Sequence, residues 1–171
     1  MLVVTSFLSF GAERQGVMIR GIVLVVALAA LESMGVVDGR FVAALAFKET
    51  GNRSGIVGDR HLKEHSYGKW QIRRVYLEDV KRLCGKELAK AGYPDPSLED
   101  VRKDDRLGRI VVELYLGHYG RAYERATGRR MTPAVAFMIH NGGPRGWDPR
   151  VRHHAAARSY AESAMRIYAK I

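Results

Sequence analysis

The sequence predicts a mostly α-helical domain with a long loop or small hairpin after its first helix. Apolar residues recur at helical spacing in several separate stretches, and clusters of Gly, Asn, Asp and Pro break the chain between them. With 171 residues, 47% of them hydrophobic, the chain fits one packed domain.

Arg20 precedes an apolar run over residues 21–31, which contains Ala27-Leu28-Ala29 and is closed by Glu32. This is the form of a targeting segment, so residues 1–29 are expected to direct export to the periplasm or the cell exterior, leaving residues 30–171 as the folded domain. The run is shorter than the roughly 20 apolar residues that span a bilayer, and no stable membrane span is expected. A buried first helix is the competing reading.

From Asp38, which can cap a helix, Val42, Leu45, Ala46 and position 49 fall at i, i+3, i+4 and i+7, and Gly51 stops the pattern. Residues 50–69 lack a helical period and read as a long loop, with a short hairpin around residues 55–58. Helical spacing returns at Tyr76, Val80 and Leu83, and Gly85 interrupts it before an amphipathic piece ending at Gly92. Tyr93-Pro94-Asp95-Pro96 then breaks the chain.

Asp104 and Asp105 open a helix with Leu107, Ile110, Val111, Leu114 and His118 on one stripe, expected to end near Gly120. Thr132-Pro133 is a helix start, and the stretch that follows is apolar on every side, which predicts a central buried helix ending at Asn141-Gly142-Gly143-Pro144. A last helix carries Ala156, Tyr160, Ala164 and Ile167 on its apolar face. No repeat or interdomain linker is present.

Cys84 is the only cysteine, so no internal disulfide forms and a Cys-based zinc site lacks its ligands. It reads as a small buried hydrophobe, and no metal or cofactor is implied. The formal charge of +10 predicts attraction to polyanions without choosing among nucleic acid, anionic lipid and an acidic cell wall. Loss of residues 1–29 would remove two arginines and one glutamate, so the basicity belongs to the folded domain.

Glu49 breaks its local pattern, because helical spacing puts its carboxylate on the stripe that faces the core. The negative end of the helix dipole and apolar neighbours both favour its protonated form. A carboxylic acid that keeps its proton suits glycosidic-bond cleavage, which requires protonation of the leaving oxygen. The duller reading is a Glu that snorkels to solvent or pairs with an arginine.

Three strings then follow one another: Glu49-Thr50-Gly51-Asn52, Ser66-Tyr67-Gly68-Lys69-Trp70-Gln71-Ile72, and an apolar segment ending His140-Asn141-Gly142-Gly143-Pro144. In order and spacing they resemble the lytic transglycosylase and lysozyme-like superfamily. There a helix ends in Glu-Ser-Gly-x-Asn, a loop leads to a Gly-Leu-Met-Gln-Ile type motif, and a later helix ends in Ala-Tyr-Asn-x-Gly. Over residues 38–168 the chain is also similar to bacterial and phage lysozyme-like proteins with a Gly-Asp loop, here Gly58-Asp59, and an Asn-Gly-Gly-Pro-x-Gly-Trp segment, here residues 141–147.

The resemblance implies a lysozyme-like fold that cleaves the β-1,4 bond between N-acetylmuramic acid and N-acetylglucosamine in peptidoglycan, most simply as a lytic transglycosylase. It matches Glu49 to the general acid, Ser66 to the loop residue facing substrate, Gln71 to the glutamine lining the sugar cleft, Asn141 to the asparagine after the buried helix, and Tyr160 to a tyrosine of the last helix. Tyr67 or Trp70 could stack on a sugar face, and Trp70 could equally be core. His140 stands where the family has Tyr, Thr50 where it has Ser, and Lys69-Trp70 where it has Leu-Met. A neutral His140 imidazole could still donate to the Glu49 carboxyl.

Inverting hydrolysis needs a second carboxylate to activate water, whereas a transglycosylase can use the substrate's own 6-hydroxyl. Asp59 and Glu64 in the loop are the candidates for that partner; each also reads as a solvated loop charge. Peptidoglycan strands are the expected partner of a monomer, and nucleic acid is not expected, because Arg129-Arg130 and the arginines of residues 150–158 are scattered without a recognition motif. The competing classes are a hydrolytic lysozyme of the same fold, a catalytically silent glycan-binding relative and a basic nucleic-acid-binding module.

Overall fold

The computed structural model describes residues 35–171, and the expected targeting segment lies outside the described residues. Among the described residues, six helices and three two-residue strands follow in the order α1 (Gly39–Thr50), β1 (Val57–Gly58), β2 (Ser66–Tyr67), β3 (Ile72–Arg73), α2 (Arg74–Lys90), α3 (Leu98–Lys103), α4 (Asp105–Thr127), α5 (Pro133–Gly142) and α6 (His154–Tyr168). The chain is mostly helical, as its periodicity predicts. Among the described residues, no helix is long and apolar enough to cross a membrane.

Helix α1 starts where the Asp38 carboxylate accepts the Phe41 N–H at 2.7 Å, which satisfies one of the orphan donors of the first turn. It ends at Gly51, whose φ of +62° lets the chain reverse and its N–H reach the Phe47 carbonyl at 2.9 Å. Phe41, Val42, Ala44, Leu45 and Ala46 are buried, and Phe41 stacks on Phe137 of α5 with ring centroids 4.4 Å apart.

The loop after α1 carries an antiparallel sheet in the order β1-β2-β3. Val57 pairs with Tyr67 and Gly58 with Ser66, so strand pairing involves residues 66–67, not a tight hairpin at residues 55–58. Ser66 pairs in turn with Arg73. Residues 72–73 thus form a third strand that runs straight into α2.

Helix α2 bends at Cys84, where φ is −132° and ψ is 25°, one residue before the interruption expected at Gly85. Helix α3 was not expected, although Ser97 and Asp100 form a reciprocal capping box at its start. Helix α4 opens on Asp104 as predicted but runs 23 residues to a left-handed Gly128, passing through Gly120 without a break. Gly120 is a packing residue: a Cβ there would lie 2.6 Å from Met131 Sδ.

Thr132 caps α5, with Pro133 at its first position. Ala136, Phe137, Ile139 and His140 of this helix are buried, Pro133, Ala134, Val135 and Met138 are partly buried, and Asn141 is exposed. Helix α6 buries Ala164 of the expected stripe and half-buries Tyr160 and Ile167, but Ala157 and Ala161 turn inward in place of the expected Ala156, which is exposed. These alanines let α6 approach closely: a Cβ on Gly142 would sit 2.7 Å from the Ala157 Cβ. Helix α6 packs on both α5 and α1, which brings its middle against the end of α1.

Candidate active site

Glu49 occupies the last turn of α1 and is neither fully buried nor free, with 16% of its side chain exposed. Its partners come from the two helices that pack around it. The Tyr160 hydroxyl of α6 donates to Glu49 Oε1, and His140 Nε2 of α5 lies 3.5 Å from the same oxygen. No arginine pairs with Glu49 among these contacts, so the ordinary ion-pair reading of a Glu on an apolar stripe does not describe it.

Tyr160 is itself anchored. Lys48 Nζ lies 5.2 Å from the centre of its ring and donates to Ser163 Oγ at 3.1 Å, holding α6 to the end of α1. Burial, then the negative charge of Glu49 and the hydrogen bond to it, push the Tyr160 phenol far above its ordinary range. The hydroxyl therefore keeps its proton and acts as a donor.

Behind His140 stands Tyr76 of α2, a buried residue that spacing alone presents as ordinary core. Its hydroxyl is 3.4 Å from His140 Nδ1, and the two rings meet edge to face with centroids 5.4 Å apart. Tyr76 also stacks on Tyr115 of α4 at 3.6 Å and 18°. Burial, with Tyr115 and Glu49 as neighbours, raises the Tyr76 phenol well above its ordinary value. The signal that could have drawn attention to it is its type, since a buried tyrosine hydroxyl requires a partner.

The sheet is tied to Glu49 through its neighbour. Thr50 is buried, and its Oγ1 lies 3.2, 3.0 and 3.1 Å from the carbonyls of Ala46, Arg53 and Lys69 while accepting the Arg53 N–H. One hydroxyl proton cannot serve three acceptors at once, but each geometry holds the loop against the end of α1. Lys69 Nζ adds an ion pair to Asp105 of α4 at 2.7 Å.

Ser66 and Gln71 meet directly. Ser66 is 1% exposed, and its hydroxyl donates to Gln71 Oε1 at 2.6 Å, while Gln71 Nε2 donates to the Gly68 carbonyl at 2.8 Å. Gln71 has a φ of +52°, a left-handed conformation that side chains rarely adopt, and these two bonds hold it there. Gly58 lies against the pair, since a Cβ on it would be 1.7 Å from Gln71 Oε1. Ser66 can thus reach a ligand only by way of Gln71, not by facing it.

Tyr67 is half-buried and lines a pocket of about 280 Å³ with Lys63, Glu64, His65, Arg74 and Leu98. Trp70 is 5% exposed and donates to the Val42 carbonyl at 3.1 Å, so it belongs to the core and offers no face to a ligand. Asn141 is exposed on the last turn of α5.

Of the two loop carboxylates, Glu64 is exposed at the pocket rim and Asp59 pairs with Arg73 at 2.7 Å. Burial opposes ionisation of Asp59, but hydrogen bonds from Arg73 and Ser66, together with the charges of Arg73 and His61, keep its carboxyl below the usual range. Among the described residues, no group of three or more His, Cys, Asp or Glu side chains is placed to hold a metal ion. Cys84 is buried, and desolvation raises its thiol, as expected of a core cysteine.

Folding thus brings Glu49, His140 and Tyr160 into one cluster with Tyr76, and Ser66 and Gln71 into a second, with Thr50 as the link between them. Compared with family models, with curated proteins and with solved structures, the chain matches none.

Proposed function

We propose that this chain is an exported, peptidoglycan-cleaving glycosidase of lysozyme-like fold, in which Glu49 is the general acid. The observation that carries the reading is the Glu49 carboxyl itself: partly buried at a helix end, with Tyr160 and His140 both at Oε1. That arrangement makes Oε1 the acceptor and leaves Oε2 to carry the proton toward a substrate. Support also comes from the three ordered motifs, whose residues lie in two linked clusters.

On this reading the Oε2 proton passes to the glycosidic oxygen as its bond to C1 of N-acetylmuramic acid breaks. The 6-hydroxyl oxygen of the same sugar then bonds to C1, and its proton returns to the Glu49 carboxylate. The products are a 1,6-anhydro end and a free 4-hydroxyl, with no water consumed. Engagement of Asp59 by Arg73 favours this one-carboxylate route over inverting hydrolysis. Gln71, Tyr67 and Asn141 would meet sugar hydroxyl and N-acetyl groups, and the basic domain would concentrate on an anionic wall.

The test is to incubate the purified protein with peptidoglycan and weigh the released muropeptides by mass spectrometry. Anhydro ends support the transglycosylase, and reducing ends assign hydrolysis with Asp59 or Glu64 as the water-activating group. Binding without release assigns a silent glycan-binding relative. Salt-sensitive DNA binding without release assigns the basic-module class.

A further inference from the structure

We propose that Tyr76 is a positioning residue: its hydroxyl donates to His140 Nδ1 and so fixes the ring proton on Nε2, facing Glu49 Oε1. The inference rests on the reading of Glu49 as the acid, but it assigns a proton that this reading leaves open.

Tyr76 and His140 are both buried, and a phenol proton without an acceptor inside a protein is costly. The His140 Nδ1 at 3.4 Å is the acceptor that the geometry offers. Stacking on Tyr115 at 3.6 Å holds the Tyr76 ring and aims the hydroxyl.

The opposite tautomer fails at both ends. With the proton on Nδ1, Tyr76 would have to accept, leaving its own proton unpaired. Nε2 would then turn a lone pair toward Glu49 Oε1, an oxygen that already accepts from Tyr160 and has no proton to offer. Donation from Tyr76 removes both conflicts, and His140 becomes the second donor holding Oε1.

The consequence is a three-residue relay from α2 through α5 to α1. Its function is to fix which carboxyl oxygen accepts, so that the proton to be transferred sits on Oε2.

Two-bond proton–nitrogen NMR of the His140 ring tests this directly. In the wild-type protein Nε2 should show the shift of a protonated ring nitrogen and Nδ1 that of a hydrogen-bonded acceptor; the reverse assignment overturns the proposal. In Tyr76→Phe, which keeps the ring, Nδ1 should move downfield toward an imidazole nitrogen without a donor. In the same variant kcat on peptidoglycan should fall several-fold to about tenfold with KM unchanged, the range one buried hydrogen bond supports. A folded Tyr76→Phe with an unmoved Nδ1 resonance or an unchanged kcat overturns it.

The wild-type spectrum decides the tautomer even if the variant does not fold. Wild-type protein with the assigned tautomer but no muropeptide release supports the ring assignment and removes the glycosidase reading. Release with the opposite tautomer removes the ring assignment alone.

Discussion

The Tyr160 hydroxyl on α6 donates to Glu49 Oε1 on α1, across 111 residues of sequence. No local pattern predicts that bond, and the packing of α6 on α1 creates it. Tyr160→Phe removes the donor and keeps the ring under Lys48. The variant should lose about 1 kcal/mol of stability, the usual worth of one intramolecular hydrogen bond, read as a shifted urea midpoint. Under the proposed function its muropeptide release should drop by up to about tenfold, the scale of one lost hydrogen bond to Glu49.

A side chain at Gly58 should disrupt the Ser66–Gln71 pair. A Cβ there would lie 1.7 Å from Gln71 Oε1 and 2.7 Å from Ser66 Oγ, so Gly58→Ala must turn the Gln71 side chain aside and break its bond with Ser66. The expected cost is about 1–3 kcal/mol. Shortening Gln71 should relieve it, so the Gly58→Ala, Gln71→Ala double variant should be more stable than the two single losses add up to. Thermal unfolding of the four proteins in the cycle measures that coupling.

Trp70 substitution should cost stability without changing what the protein recognises. The indole is core, bonded to the Val42 carbonyl, and packed so tightly on Gly108 that a Cβ there would lie 2.9 Å from the ring. Trp70→Phe leaves a void and should destabilise by about 1–3 kcal/mol. Glycan binding by the folded fraction should be unchanged, as isothermal titration would show; a selective loss of binding would return Trp70 to the cleft.

Asp148 gives the turn between α5 and α6 a pH dependence of known sign. Hydrogen bonds from Arg150 and Arg145, with the Arg150 N–H, hold this 1%-exposed carboxyl far below its ordinary range. A depressed folded-state value stabilises fully above the unfolded carboxylate range and is lost as pH falls through roughly 4 and below. The wild-type Tm should therefore fall as pH drops below that point. Asp148→Asn should have a lower Tm at pH 7 and a flatter profile below pH 4, measured by calorimetry.

Much of this fold is legible because helix ends are local chemistry. Asp38, Asp104, Thr132 and Gly51 announce their helices within four residues of sequence. What misleads is tertiary. Gly120 reads as a stop until Met131 is seen to occupy the space a side chain would need. The six-residue α3 is hidden by Pro94 and Pro96, although its capping box is written out at Ser97 and Asp100. At the start of α6 three consecutive alanines, 155–157, look alike, and packing on α1 and α5 turns Ala157 inward and leaves Ala156 exposed.

The site divides the same way. Glu49 stands out because a carboxylate breaks an apolar stripe, and Ser66 with Gln71 stand out through motif order. Tyr76 reads as core apart from its hydroxyl, because the partner that hydroxyl meets, His140, is 64 residues away. Ser66 reads as a loop residue but lies in β2, where it pairs with Gly58 and Arg73 and its hydroxyl meets Gln71.

The most direct measurement is muropeptide release by wild type and Glu49→Gln under identical conditions. Glutamine keeps a carbonyl oxygen to accept from Tyr160 and His140, so the fold should stand while the transferable proton is gone. The wild type should release muropeptides with anhydro ends, and the variant should lose at least about 100-fold, the scale of a missing general acid. Equal release by the two proteins would contradict Glu49 as the acid.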